Sequence, residues 1–178
     1  MSDTFWLLCL HEAGHAAVAL ALGYRVTTVF ARPDGGLSQD TATSMTDCAL
    51  ITAAAEAAEQ LLSSEPPPER TERTAQQPAR FATIATNDVI RMLTTPSGND
   101  APEPIPSDAR QLALYAIDGI ENEPERWTER LNFVKAYAAR IVEQQRGKIL
   151  ILARELYQQH FISGRQMESL FAEEGTDK

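Results

Sequence analysis

Phe5-Trp6-Leu7-Leu8-Cys9-Leu10-His11-Glu12-Ala13-Gly14-His15-Ala16-Ala17-Val18-Ala19-Leu20 reads as one apolar helix with a His-Glu-x-x-His inside it. Helix formers run from residue 3 to residue 22. Ser2 or Asp3 suits the N-cap, and Gly23 suits the position just past the C-terminus. A signal peptide or membrane span is the competing reading of so apolar a segment. It fails because Asp3 and no Lys or Arg precede the run, and because His11-Glu12 interrupts it. The expectation is therefore a soluble, cytoplasmic chain without a membrane span.

The spacing inside this helix has a direct chemical meaning. Residues four apart lie on one helix face, one turn above the other. His11 and His15 can thus both reach one Zn²⁺ at about 2.0–2.1 Å. Glu12 lies one step round the helix, beside the metal but not bound to it, where it can take a proton from water. Zinc lowers the pKa of bound water to about 7, so hydroxide is available at neutral pH. The chain has only three histidines, so a chance match to this motif is on the order of one in a few hundred.

A catalytic zinc takes three protein ligands and keeps a fourth position open. The remaining histidine, His160, falls in Gln158-Gln159-His160-Phe161 at the end of a long helix. That context reads as an exposed helix terminus, where a cation is tolerated. The third ligand is then a carboxylate, and composition alone does not choose among 25 acidic residues.

Working outward, Arg25-Val26-Thr27-Thr28-Val29-Phe30-Ala31 is rich in β-branched residues and stops at Pro33-Asp34-Gly35-Gly36, a strand followed by a turn. A lone strand is not stable, so it pairs with Gly36–Ser38 or with a neighbouring chain. An alanine-rich, buried helix runs from Met45 to Leu62. Residues 63–78 and 94–106, both proline-bearing, are loops around a short helix from Asn87 to Leu93. Ser107 caps a helix from Asp108 to Gly119. Pro124 opens a long helix to Gln159, with Gly147 marking a kink or break in it. Ser163 caps a last short helix near Phe171. The expected fold class is mainly α, with a small β-strand or hairpin element beside the motif helix. One domain covers 1–178, with a metal-binding part (1–106) and a C-terminal helical part (107–172).

The chain has 178 residues and a net charge of −9, with 16 basic against 25 acidic residues. That balance excludes a general nucleic-acid-binding face. Two cysteines, Cys9 and Cys48, form no C-x-x-C and make no disulfide framework; they read as thiols in a reduced compartment. The length is too short for a catalytic domain plus a full ATPase module.

His11-Glu12-Ala13-Gly14-His15-Ala16 with Val18-Ala19-Leu20 resembles the start of the peptidase domain of the FtsH family, ATP-dependent zinc metalloproteases. Arg25–Val29 looks like the family's strand after the motif helix, and Gly36-Leu37 like its Gly-containing edge segment. Ala57-Ala58-Glu59-Gln60-Leu61-Leu62 is similar to its Ala-Ala-Glu-Glu-Leu helix. Ala85-Thr86-Asn87-Asp88 with Ile90–Leu93 is similar to its Gly-Ala-x-Asn-Asp segment. Lys148–Leu156 resembles its terminal helix, and Ile162-Ser163-Gly164 its last turn. The motif helix and the Asn-Asp segment carry the specific part of the likeness.

The resemblance implies that Asp88 completes the zinc site with His11 and His15. Glu59 is the rival carboxylate, read as the group that holds a ligand imidazole from behind. The chain departs from the family in having no Gly-x-x-x-x-Gly-Lys-[Ser/Thr], in Thr83-Ile84-Ala85 before Thr86-Asn87, and in its proline-rich loop. The implied activity is an ATP-independent zinc endopeptidase cutting unfolded or flexible polypeptides. Glu12 would move the proton, and the substrate would pair along the strand by β-addition at Val26, Thr28 and Val29, with Gly36 allowing close approach. Because the family forms rings, assembly with further copies of the chain is implied as an option. The alternative is an inactive FtsH-like module that docks to a partner ATPase or protease.

Overall fold

The computed structural model describes residues 4–32, 35–69 and 107–173. The motif helix, α1 (Thr4–Ala21), is buried along almost its whole length. Among the described residues it is the one helix long and apolar enough to cross a membrane. Here it fills the centre of the protein core. It ends at Gly23, whose φ of 87° is open to glycine without steric cost.

Two strands follow in a hairpin, β1 (Val26–Arg32) and β2 (Gly35–Asp40). A third strand, β3 (Phe161–Ser163), comes from the far end of the chain. The sheet order is β2-β1-β3, with both pairings antiparallel. The hairpin with residues 36–38 is as the strand's need for a partner requires. The second partner, β3, is not foreseeable from three residues of ordinary sequence. It makes β1 the middle strand. Val29, Ala31 and Ile162 turn inward and are fully buried.

Helix α2 (Met45–Leu62) starts at Ser44, whose side chain accepts from the Asp47 amide. Small residues let it cross α1 closely. A Cβ added at Gly14 would stand 2.8 Å from Ala58 Cβ and 2.9 Å from the Ala54 carbonyl oxygen. Helix α3 (Ser107–Ile117) and helix α4 (Pro124–Gln144) pack on the other side of α2, with proline in the first turn of α4. The single helix expected from Pro124 to Gln159 is in fact two. It breaks at Gln145 (φ −99°, ψ 12°), ahead of Gly147, and resumes as α5 (Arg146–Gln159). The break turns α5 against α1. His160 then adopts a left-handed φ of 63° and leads the chain into β3. A last helix, α6 (Gly164–Glu173), begins beside Ser163, whose hydroxyl accepts from the Gln166 amide.

The architecture is mainly helical with a small three-stranded sheet. One apolar cluster joins α1, the sheet, α5 and parts of α2 and α4, through Leu10, Val18, Val29, Leu152, Leu156 and Ile162. A second joins α2, α3 and α4 through Leu50, Leu112, Leu131 and Val134. Each fully buried leucine or isoleucine contributes about 1.5–3 kcal/mol. Because α2 and α4 serve both clusters, the core crosses residue 106 without a seam. Described residues of the expected metal-binding part (1–106) and C-terminal helical part (107–172) thus share this packing.

Candidate metal centre

His11 and His15 project from one face of α1, as four-residue spacing on a helix requires. Their Nε2 atoms converge on a single atom, Asp108 Oδ2, at 3.0 Å and 3.2 Å. The three ligand-type atoms all lie within 4.8 Å of one another. Tetrahedral zinc with bonds of about 2 Å holds its ligand atoms about 3.3 Å apart, a spacing that the two imidazole–Asp108 distances match.

The groups behind the imidazoles set their tautomers. His15 Nδ1 is 2.9 Å from the Ile51 carbonyl oxygen, which can only accept. His11 Nδ1 is 2.6 Å from Glu59 Oε1. Both Nδ1 atoms therefore donate, and in the neutral rings both Nε2 atoms carry lone pairs aimed at a carboxylate oxygen. Three lone pairs cannot face one another in a mostly buried site without a cation or protons between them. His15 is 8% exposed. Two neutral imidazoles and one carboxylate, each imidazole held by a group beyond it, are the donor set that a zinc ion takes.

Without a metal, protons fill the gap. Burial opposes charge on His11, but the hydrogen bonds to Asp108 and Glu59 outweigh it and push its pKa up to about 10. His15 is raised as well, its burial outweighed by Asp108. Asp108 is held far below the usual carboxylate range, because the two imidazoles overcome the cost of burying it.

Asp108 lies in the first turn of α3, where the helix dipole favours a negative charge. One turn on, Gln111 meets the Thr52 hydroxyl of α2 at 2.9 Å, and Thr52 also donates to the Cys48 carbonyl at 2.7 Å. These contacts tie the start of α3 to the helix that carries Glu59 and Ile51.

Glu12 is 5% exposed, and its Oε2 has no hydrogen-bond partner among the described residues. Burial raises its pKa, with Asp108 and Glu59 adding to the rise and His15 and His11 opposing it. On its other side lies Gly36 of β2, where an added Cβ would stand 2.6 Å from Glu12 Cδ. The absence of a side chain at 36 is what lets the hairpin close over this carboxylate.

The structure thus gathers His11, Glu12, His15, Glu59 and Gly36 in one place. Asp88, the expected third ligand, lies outside the described residues. The carboxylate that meets the two imidazoles is Asp108, which the sequence reading took only as part of a helix start. Its one local signal was the Ser107-Asp108 pair at that start. His160 takes no part: its Nδ1 is 3.3 Å from the Ala31 carbonyl oxygen and its ring packs on Phe5, so it joins α5 to β1. The expected peptide contacts at Val26, Thr28 and Val29 need correction. Thr28 and Val29 are paired on both sides, by β2 and by β3. Val26 is paired to Asp40 and buried, and Gly164 packs closely on its carbonyl oxygen. β1 is therefore closed to β-addition, and among the described residues β2 is an edge of the sheet beside Glu12.

No protein-family model matches the chain, and no curated protein matches it in sequence.

Proposed function

We propose that this chain is a zinc-dependent endopeptidase of the FtsH peptidase type, cutting unfolded or flexible polypeptides without nucleotide. The observation that carries the reading is the convergence of His11 Nε2, His15 Nε2 and Asp108 Oδ2 beside the buried Glu12 Oε2, which has no hydrogen-bond partner among the described residues. His11, His15 and Asp108 would hold the ion. Zinc at such a position supplies Lewis acidity, polarising a carbonyl and lowering the pKa of a water.

The rest of the chemistry falls to the protein's own groups. Glu12 takes the proton from the attacking water at Oε2 and returns it to the leaving amine. Burial raises its pKa, which favours its holding the proton between the two transfers. Glu59 and the Ile51 carbonyl fix the two imidazoles in the ligand tautomer. The substrate pairs as an extended strand along β2, an edge strand among the described residues, which brings its carbonyls past Gly36 and Glu12. Only an extended chain can pair in this way, so folded proteins are excluded as substrates. The sequence carries no phosphate-binding loop that could drive unfolding.

The test is metal analysis of the purified protein together with cleavage of an unfolded protein such as casein. Zinc bound at one equivalent and cleavage abolished in Glu12→Gln is the expected result. Cleavage that survives Glu12→Gln, or protein that takes up no zinc, rules the reading out.

A further inference from the structure

The two faces of the sheet differ in character. On the inner face Val29 pairs with Ser38 and with Ile162. On the outer face Phe30 pairs with Leu37 on one side and with Phe161 on the other, so Leu37, Phe30 and Phe161 form one row across all three strands. The row is open to solvent: Leu37 is 48% exposed and Phe161 49%. Leu37 stands on the edge strand, one residue from Gly36.

Period-2 alternation decides what this row does to a peptide on that edge. The peptide residue opposite Gly36 turns inward, towards Glu12. The adjacent residue, opposite Leu37, turns outward and becomes a fourth member of the row. We infer that Leu37 is a specificity-determining residue: the outer face of the sheet selects an apolar side chain at the substrate position next to the one that faces Glu12. The inference rests on the proposed peptidase reading and names the substrate class of that site. Directly opposed Cβ atoms are about 4.5–5.5 Å apart, close enough for a Leu, Met or Phe side chain to lie on Leu37. A serine at that position gains nothing there. Cross-strand pairs of this kind are worth about a two- to fivefold preference.

The experiment uses internally quenched peptides in which Leu, Ser and Glu are exchanged at each position in turn. Zinc-loaded wild-type protein is expected to favour Leu over Ser at one position by about two- to fivefold in kcat/KM, mainly through KM. Leu37→Ser should remove that preference at that position alone, and Leu37→Lys should turn it towards Glu. Phe133→Ser, which removes an exposed phenyl on α4 (65% exposed), should leave it intact. A preference that survives Leu37→Ser, or that Phe133→Ser also removes, overturns the inference. Binding of the same peptides to zinc-loaded Glu12→Gln protein, read by fluorescence anisotropy, separates the two ideas. Leu37-dependent binding without cleavage by the wild type leaves the subsite standing and rejects the peptidase. Cleavage without Leu37 dependence does the opposite. Absence of peptide binding overturns the subsite.

Discussion

Gly36 lies against the carboxyl group of Glu12, so that a Cβ at position 36 would stand 2.6 Å from Glu12 Cδ. Even alanine at 36 must therefore push Glu12 aside or open the hairpin. Gly36→Ala is expected to keep zinc and fold, because the three atoms nearest a Cβ there all belong to Glu12 and none to a proposed ligand, and to lower kcat by roughly a hundredfold, the usual cost of misplacing a reacting group by about 1 Å. Paired zinc analysis and casein cleavage check this. Unchanged kcat would show that Glu12 does not need its observed position.

Glu59 stands behind His11, 2.6 Å from its Nδ1, so its effect on a bound zinc is expected to be smaller than that of a ligand. Glu59→Gln should weaken zinc binding by about 10–100-fold, the usual cost of losing such a support. Asp108→Ala should remove it almost entirely. Competition titration with a zinc chelator measures both. Equal losses would mean that Glu59 touches the ion.

The pH dependence has opposite signs with and without metal. Free of metal, His11 has its pKa raised from 6.5 to about 10. Its pairing with Asp108 therefore stabilises the fold fully below pH 6.5 and loses that contribution as pH rises towards 10. Asp108 is shifted the other way, so its share is present above pH 3.8 and lost only in strong acid. Zinc must displace the imidazole protons, so its stabilising effect grows with pH. Thermal melts of apo protein should fall between pH 6.5 and 10, while the increment from added zinc rises over the same range. An increment that shrinks with pH would show that the ion binds elsewhere.

The crossing of α1 and α2 leaves no space at Gly14. Gly14→Ala puts a methyl group 2.8 Å from Ala58 Cβ and 2.9 Å from the Ala54 carbonyl oxygen. Overpacking of this kind costs about 1–3 kcal/mol, and urea unfolding should show it. The same shift moves Ile51 and Glu59 relative to the histidines, so zinc affinity should fall with stability. Loss of stability alone would mean that the helices yield away from the metal end.

Much of this molecule is legible in local sequence. The apolar run around His11, the alanines of α2 and the β-branched run at Val26–Ala31 each report a short-range preference, and each forms its element. Pro124 marks the start of α4 as proline at a first turn should. What escaped depends on long-range contact. Three residues, Phe161–Ser163, are too few to read as a strand, although Phe161 and Ile162 favour one, and they pair because α5 delivers them to β1. That pairing closes the edge of β1 and leaves β2 as an edge of the sheet among the described residues. Gly147 signalled a kink or break, and the break falls two residues earlier, at Gln145. Asp108 lies 97 residues from His11 and differs from the other acids only by where α3 starts. No spacing rule reaches across that distance.

The most direct measurement is anomalous diffraction at the zinc edge from crystals of the protein. The expected result is one peak about 2.0–2.2 Å from His11 Nε2, His15 Nε2 and an oxygen of Asp108, with Glu12 near it and unbound. A peak ligated by Asp88 or Glu59 in place of Asp108, or no peak between the two histidines, would contradict the assignment of this metal centre.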